Sequence, residues 1–146
     1  MLSEPVRNVM EPSKLLVAAP DSSVSAAAKL MADKRAGAVM VLEGTRLIGI
    51  FTERDLLVRV VAHGRDIHTT RLADVMTKSP VSVGPSESFG YALLLMHESG
   101  FRHVPVVVDG EPIGIVSARS ALDPDLEEFE SEARRRKAIR REATQR

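Results

Sequence analysis

The stretch Gly49-Ile50-Phe51-Thr52-Glu53-Arg54-Asp55 decides the reading of this chain, because it occurs twice. Gly114-Ile115-Val116-Ser117-Ala118-Arg119-Ser120 repeats its order at an offset of 114 − 49 = 65 residues. Met96 follows Met31 at the same offset, and Val75-Met76 follows Val9-Met10 at 66, a one-residue deletion early in the second copy. Self-similarity of this kind, over most of 146 residues, marks an internal repeat.

Each copy reads in the same order. A short apolar run (Leu15 to Ala18; Val81 to Val83) comes before a polar turn. Val24, Ala27, Ala28 and Met31, and then Phe89, Ala92, Leu93 and Met96, recur at i, i+3, i+4, i+7, the spacing of one buried helix face. Ser22 or Ser23, and Ser86, are suitable N-caps. Two β-rich runs follow in each copy, Ala38 to Leu42 with Leu47 to Phe51, and Val104 to Val108 with Ile113 to Val116. Asp109-Gly110 is a strong hairpin turn and Glu43-Gly44 a weaker one. Second helices are expected from near Thr52 and near Ser117, and one helical turn between Arg71 and Met76.

One βαββα unit is too small to cover both faces of its sheet. Two copies joined by a short tether solve this by packing sheet against sheet, which leaves a cleft on an approximate twofold axis. The expected fold is therefore α+β, with two βαββα repeats paired through their sheets and a charged C-terminal helix. The expected boundaries are residues 1–62, a linker at 63–71, residues 72–122 and a tail at 123–146.

Composition narrows the function. Hydrophobic residues make up 44% and charged residues 27%, as in an ordinary globular protein. At this length roughly 70% of the unfolded surface is buried, so a core needs no staple. There is no cysteine, which excludes disulfides, thiolate metal sites and cysteine nucleophiles and fits a reducing compartment. Twenty basic residues balance twenty acidic ones, so no general attraction to nucleic acid or membrane arises. The opening Met1-Leu2-Ser3-Glu4-Pro5 lacks the pattern of a signal peptide, and the apolar runs are too short for a membrane helix. The expectation is a cytoplasmic protein. His63, His68, His97 and His103 form no metal-ligand spacing, and no nucleophile elbow, phosphate loop or zinc-protease motif occurs. The expectation is a binding protein without catalytic or metal residues.

The repeated stretch carries the chemistry. A strand ends, a hydroxyl stands at a helix start, and in the first copy a carboxylate follows three residues on. A helix start suits phosphate, and a carboxylate there can accept two hydrogen bonds from a ribose diol. The same Thr-x-x-Asp is also a capping box, with Thr52 and Asp55 tied to their own backbone. Sequence alone leaves both readings open.

The combination resembles a tandem of cystathionine-β-synthase (CBS) domains, the Bateman module. Val9-Met10 and Asp74-Val75-Met76-Thr77 look like the openings of the repeats, Arg102-His103-Val104-Pro105-Val106-Val107 like the central strand, and Gly49 to Asp55 like the Gly-h-x-Thr/Ser-x-x-Asp signature. The resemblance spans about residues 5 to 122. It implies an adenosine ligand (AMP, ADP or ATP, with S-adenosylmethionine as a further option) between the repeats, and a homodimer acting on an effector protein. By the resemblance, Thr52 and Asp55 hold phosphate and ribose, Pro80, Val81, Phe101, Arg102 and Pro105 flank the base, and His103 and Arg54 lie near the phosphates. The second signature has Ser120 in place of the carboxylate and faces the plainer Ala36-Gly37-Ala38, so one competent half-site is expected.

In the tail, Glu127, Glu128, Glu130 and Glu132 precede Arg134, Arg135, Arg136, Lys137, Arg140 and Arg141, with Glu130–Arg134 and Glu132–Arg136 at i, i+4. This order predicts a solvated helix. The rival functions are an interaction module with an empty cleft and nucleic-acid binding through the six tail cations.

Overall fold

The computed structural model describes residues 1–11, 15–121 and 123–145. The first repeat runs β1 (Val17–Ala18), α1 (Val24–Lys34), β2 (Ala38–Glu43), β3 (Arg46–Thr52) and α2 (Glu53–Asp55), which continues as a π-helical segment, Leu56–Val61. The second has α3 (Leu72–Val75), β4 (Thr77–Lys78), α4 (Phe89–Ser99), β5 (His103–Val108), β6 (Glu111–Ser117) and a 3-10 turn, Ala118–Ala121. The last helix is α5 (Asp123–Thr144). No helix among the described residues is long and apolar enough to cross a membrane.

The helix stripes fall as their spacing predicts: Val24, Ala27 and Met31, and Phe89, Ala92 and Met96, are buried. Ser23 caps α1 by accepting the Ala26 N–H at 3.1 Å. The second cap is Ser88 rather than the expected Ser86, for Ser88 accepts the Tyr91 N–H at 3.1 Å. The reason lies in the core: the first helical residue is the fully buried Phe89, which fixes the residue before it as the cap. In β5–β6 the turn residues Asp109 and Gly110 have φ of 51° and 83°, both in the left-handed region.

Strand alternation divides the interior into three parts. Val39, Val41 and Phe51 face α1 in the first core. Val104, Val106 and Val116 face α4 in the second. The intervening Ala38, Met40, Ile50 and Ile115 form a third cluster, where the two sheets meet. Both faces of each hairpin are thus covered, and β2 accordingly reads as a near-continuous apolar run.

The segments that open the repeats are exchanged. β4 pairs with β3 of the first repeat, and Leu72 and Val75 enter the first core. The N-terminus reciprocates: Val6 belongs to the second core, and the Val6 N–H donates to the Glu87 carbonyl at 2.8 Å. Neither half closes its core without a segment from before the other.

Candidate functional site

β3 ends at Thr52, whose backbone is still extended (φ −115°, ψ 167°), and the helix begins at Glu53. Asp55, three residues on, turns back. Its Oδ2 accepts the Thr52 N–H at 3.0 Å and the Thr52 hydroxyl at 3.1 Å, while Thr52 Oγ1 accepts the Asp55 N–H at 3.2 Å. Oδ1 accepts the Thr77 hydroxyl at 3.3 Å and lies 3.5 Å from Arg59 Nε. Arg59 Nη1 also donates to the Met76 carbonyl at 2.8 Å. The carboxylate is therefore a capping box and a tie between α2 and β4, and only 7% of Asp55 is exposed.

The second repeat builds the same turn without charge. The Ser117 N–H donates to Ser120 Oγ at 3.2 Å, and the two hydroxyls lie 3.3 Å apart. Ser120 is 5% exposed.

A cavity of about 380 Å³ opens at the seam on this second side. The first repeat supplies Ala36, Gly37, Ala38 and Glu53, and the second supplies Arg102, His103, Ser117 and Arg119; Glu11 and Arg35 complete the charged lining. Gly37 admits the His103 side chain to this lining. A Cβ there would stand 2.9 Å from His103 Cε1, 3.0 Å from Nε2 and 3.3 Å from Glu53 Oε1, so the imidazole occupies the space a side chain would need. Burial holds the His103 pKa below its ordinary 6.5; Glu53 opposes this, and Arg102 and Arg119 add to it.

Of the residues expected from the sequence, the structure brings Arg102 and His103 to this cavity. Thr52 and Asp55 do not line it and are held in their mutual cap. Arg54 Nη1 donates to the Gly100 carbonyl at 3.3 Å. Pro80 and Phe101 are half-buried, and Val81 is exposed. Pro105 is buried opposite Ile115, with its carbonyl accepting the Val83 N–H at 3.0 Å. The Ala36-Gly37-Ala38 run, set against this half-site from the sequence, lines it, whereas sequence reasoning missed Glu11, Arg35, Glu53 and Arg119 as lining residues. The repeat offset contained part of the signal, since Arg119 is the counterpart of Arg54.

A twofold-related pair of sheets with a ligand-sized space at the seam defines a class of tandem-repeat modules. Comparison with known proteins assigns the family. Residues 6–62 and 72–125 match the family model described as "CBS domain", and the chain belongs to the CBS-domain family as a pair of such domains. It is 40% identical over 116 residues to the Meiotically up-regulated gene 70 protein of Schizosaccharomyces pombe, covering 72% of this chain and 16% of that protein. It covers 18% and 24% of two Arabidopsis thaliana CBS domain-containing proteins, so it spans under a quarter of the length of these three relatives. A solved protein with CBS domains from Burkholderia ambifaria superposes with a TM-score of 0.78 at 31% identity, over 85% of this chain and 95% of that one. The CBS domain pair of protein MJ0100, solved with 5′-methylthioadenosine and S-adenosyl-L-methionine, shares the fold (TM-score 0.74, 20% identity, 81% and 96% coverage).

Proposed function

We propose that this CBS pair is a regulatory module that binds an adenosine ligand (AMP, ADP or ATP) between its repeats and relays occupancy to a partner protein or to a second copy of itself. The observation that carries this reading is the shared lining of the seam. A cavity of about 380 Å³ on the Ser117 side takes its walls from both repeats, and the internal repeat gives the Thr52/Asp55 turn the corresponding place on the other side of the same seam, so a molecule at either place responds to how the repeats pack. That volume lies in the range of small-molecule sites, about 300–1,000 Å³. The MJ0100 pair, which shares the fold, binds two adenosine compounds.

In this reading the nucleoside lies on the Thr52/Asp55 side, where a ribose diol meets Asp55, the carboxylate that Ser120 replaces in the second signature turn. It competes there with Thr77 and Arg59 for Asp55 Oδ1. Those two residues tie β4 to α2, so taking Asp55 loosens the segment that leads into the second repeat. A ligand moves such an equilibrium only by its difference in affinity for the two packings. Pairing with a second copy is supported by apolar side chains left exposed on both helical faces, Leu57, Val58 and Val61 in one repeat and Tyr91 and Leu94 in the other.

Isothermal titration with AMP and ATP tests the reading. Asp55→Asn is expected to weaken binding by about 10- to 100-fold, the loss of one or two charged hydrogen bonds. Ser120→Ala is expected to leave it unchanged. Equal losses in the two variants refute the choice of half-site, and no heat with any adenosine compound refutes the ligand class.

A further inference from the structure

We propose that α5 is a self-pairing helix: two copies of the chain join through it, antiparallel, with the acidic half of one helix along the basic half of the other. The sequence of α5 divides at Ala133. Six carboxylates and no cation lie between Asp123 and Glu132, and six cations and no carboxylate lie between Arg134 and Arg141. Within one helix, only charges beside this boundary find an opposite sign three or four residues away. Glu132 does so: its Oε1 accepts from Arg136 Nε at 3.0 Å, and it also pairs with Arg135. Farther out each half repeats one sign at that spacing, as in Asp123 with Glu127, Glu127 with Glu130, Arg136 with Arg140 and Lys137 with Arg141. Like charges so placed destabilise a helix, and its dipole offsets them only in the first and last turns. A second copy turned end for end brings the missing sign to both halves at once, whereas a parallel copy sets like against like.

The helix has the surface for such a partner. From Ala133 to Gln145 it is exposed on every side, with Ile139 at 59%. Helical spacing puts Leu126, Phe129 and Ala133 in one stripe, which Arg136 and Arg140 continue. Ala133 stands where the twofold axis crosses, and its small side chain lets the two backbones come close. Beyond it, arginine stems can lie along the partner's stripe while their charged heads reach the carboxylates that flank it. A nucleic acid fits less well, because the acidic half repels it directly beside the basic half that would hold it. This interface is separate from the exposed apolar faces of the repeats and needs no ligand.

The chain has no cysteine, so a single introduced one carries a spin label cleanly. Full-length Ala133→Cys and Thr144→Cys are labelled, and the distance between copies is read by electron paramagnetic resonance at low salt. Labels at position 133 are expected to lie roughly 10 Å apart, the spacing of two packed helices. Labels at position 144 are expected about 33 Å apart, from roughly 22 residues of helix rise between them. Adding Arg136→Glu/Arg140→Glu sets like charges face to face and is expected to raise the concentration for half-pairing by about 10-fold or more. Mixing that variant with Glu127→Lys/Glu130→Lys, both labelled at position 133, is expected to restore the short distance, a rescue that mere unfolding of α5 does not give. Labels at position 144 as close as those at 133 overturn the antiparallel pair. A short distance that the charge variants leave unchanged assigns pairing to the repeats and overturns the proposal, as does a tail that stays unpaired or takes up a mixed-sequence oligonucleotide in place of its copy. No adenosine compound enters the experiment, so its result stands apart from that of the ligand reading.

Discussion

Replacing Asp55 by alanine tests how the signature turn is held. The substitution removes the acceptor of the Thr52 N–H, a cap contact of about 1 kcal/mol. It also removes the charged, buried acceptor of the Thr77 hydroxyl, about 1.5–3 kcal/mol. The Arg59 pair adds at most about 1 kcal/mol, because that guanidinium is half exposed. The sum is about 2.5–5 kcal/mol, or a fall in Tm of roughly 5–20 °C for a domain of this size. The second repeat supplies the internal control. Ser120 makes the same turn with neutral contacts only, so Ser120→Ala is expected to cost about 1 kcal/mol. Asp55→Asn keeps an oxygen for the Thr52 N–H and is expected to fall between the two. Thermal unfolding and urea titration by circular dichroism read all three. An Asp55→Ala protein that melts as Ser120→Ala does would refute the claim that this carboxylate ties α2 to β4.

Three further outcomes follow from single contacts. Ser88→Ala should cost about 1 kcal/mol in urea denaturation as the loss of a helix cap, while Ser86→Ala should be neutral. The His103 pKa is lowered in the fold, so between that value and its ordinary 6.5 the unfolded chain binds more protons. Stability should therefore fall as pH drops into this window, His103→Gln should remove that part of the acid loss, and the imidazole should titrate below 6.5 by NMR. A Cβ at Gly114 would lie 2.6 Å from Met10 Sδ, so Gly114→Ala should cost about 1–3 kcal/mol and Met10→Ala should partly relieve it, read as a double-mutant cycle by denaturation.

Much of the fold was legible because the repeat printed its pattern twice. The stripes from Val24 and from Phe89, the paired hairpins and the single turn at Leu72–Val75 all rest on local periodicity and turn chemistry. The exchange of opening segments was not legible, since Val6 on the second core and Leu72 on the first depend on backbone pairing across more than forty residues. The Ser86-Glu87-Ser88 run offers two caps, and only the burial of Phe89 selects between them. The signature turn was visible as a strand end followed by a cap. The direction of the Asp55 carboxylate was not, for it is set by Thr77 and Arg59, the first of them 22 residues away. The cavity lining was harder still. The place of Gly37 opposite this half-site was legible from the repeat, but the role of Glu53 was not, for it depends on His103 of the other repeat coming to rest over Gly37 beside it.

A ligand that regulates by sitting between the halves must disturb both. Amide chemical-shift mapping with AMP or ATP should show saturable changes at Gly37, Thr52 and Glu53 from the first repeat together with His103 and Ser117 from the second. Shifts confined to one repeat, or to the tail beyond Glu132, would contradict the account.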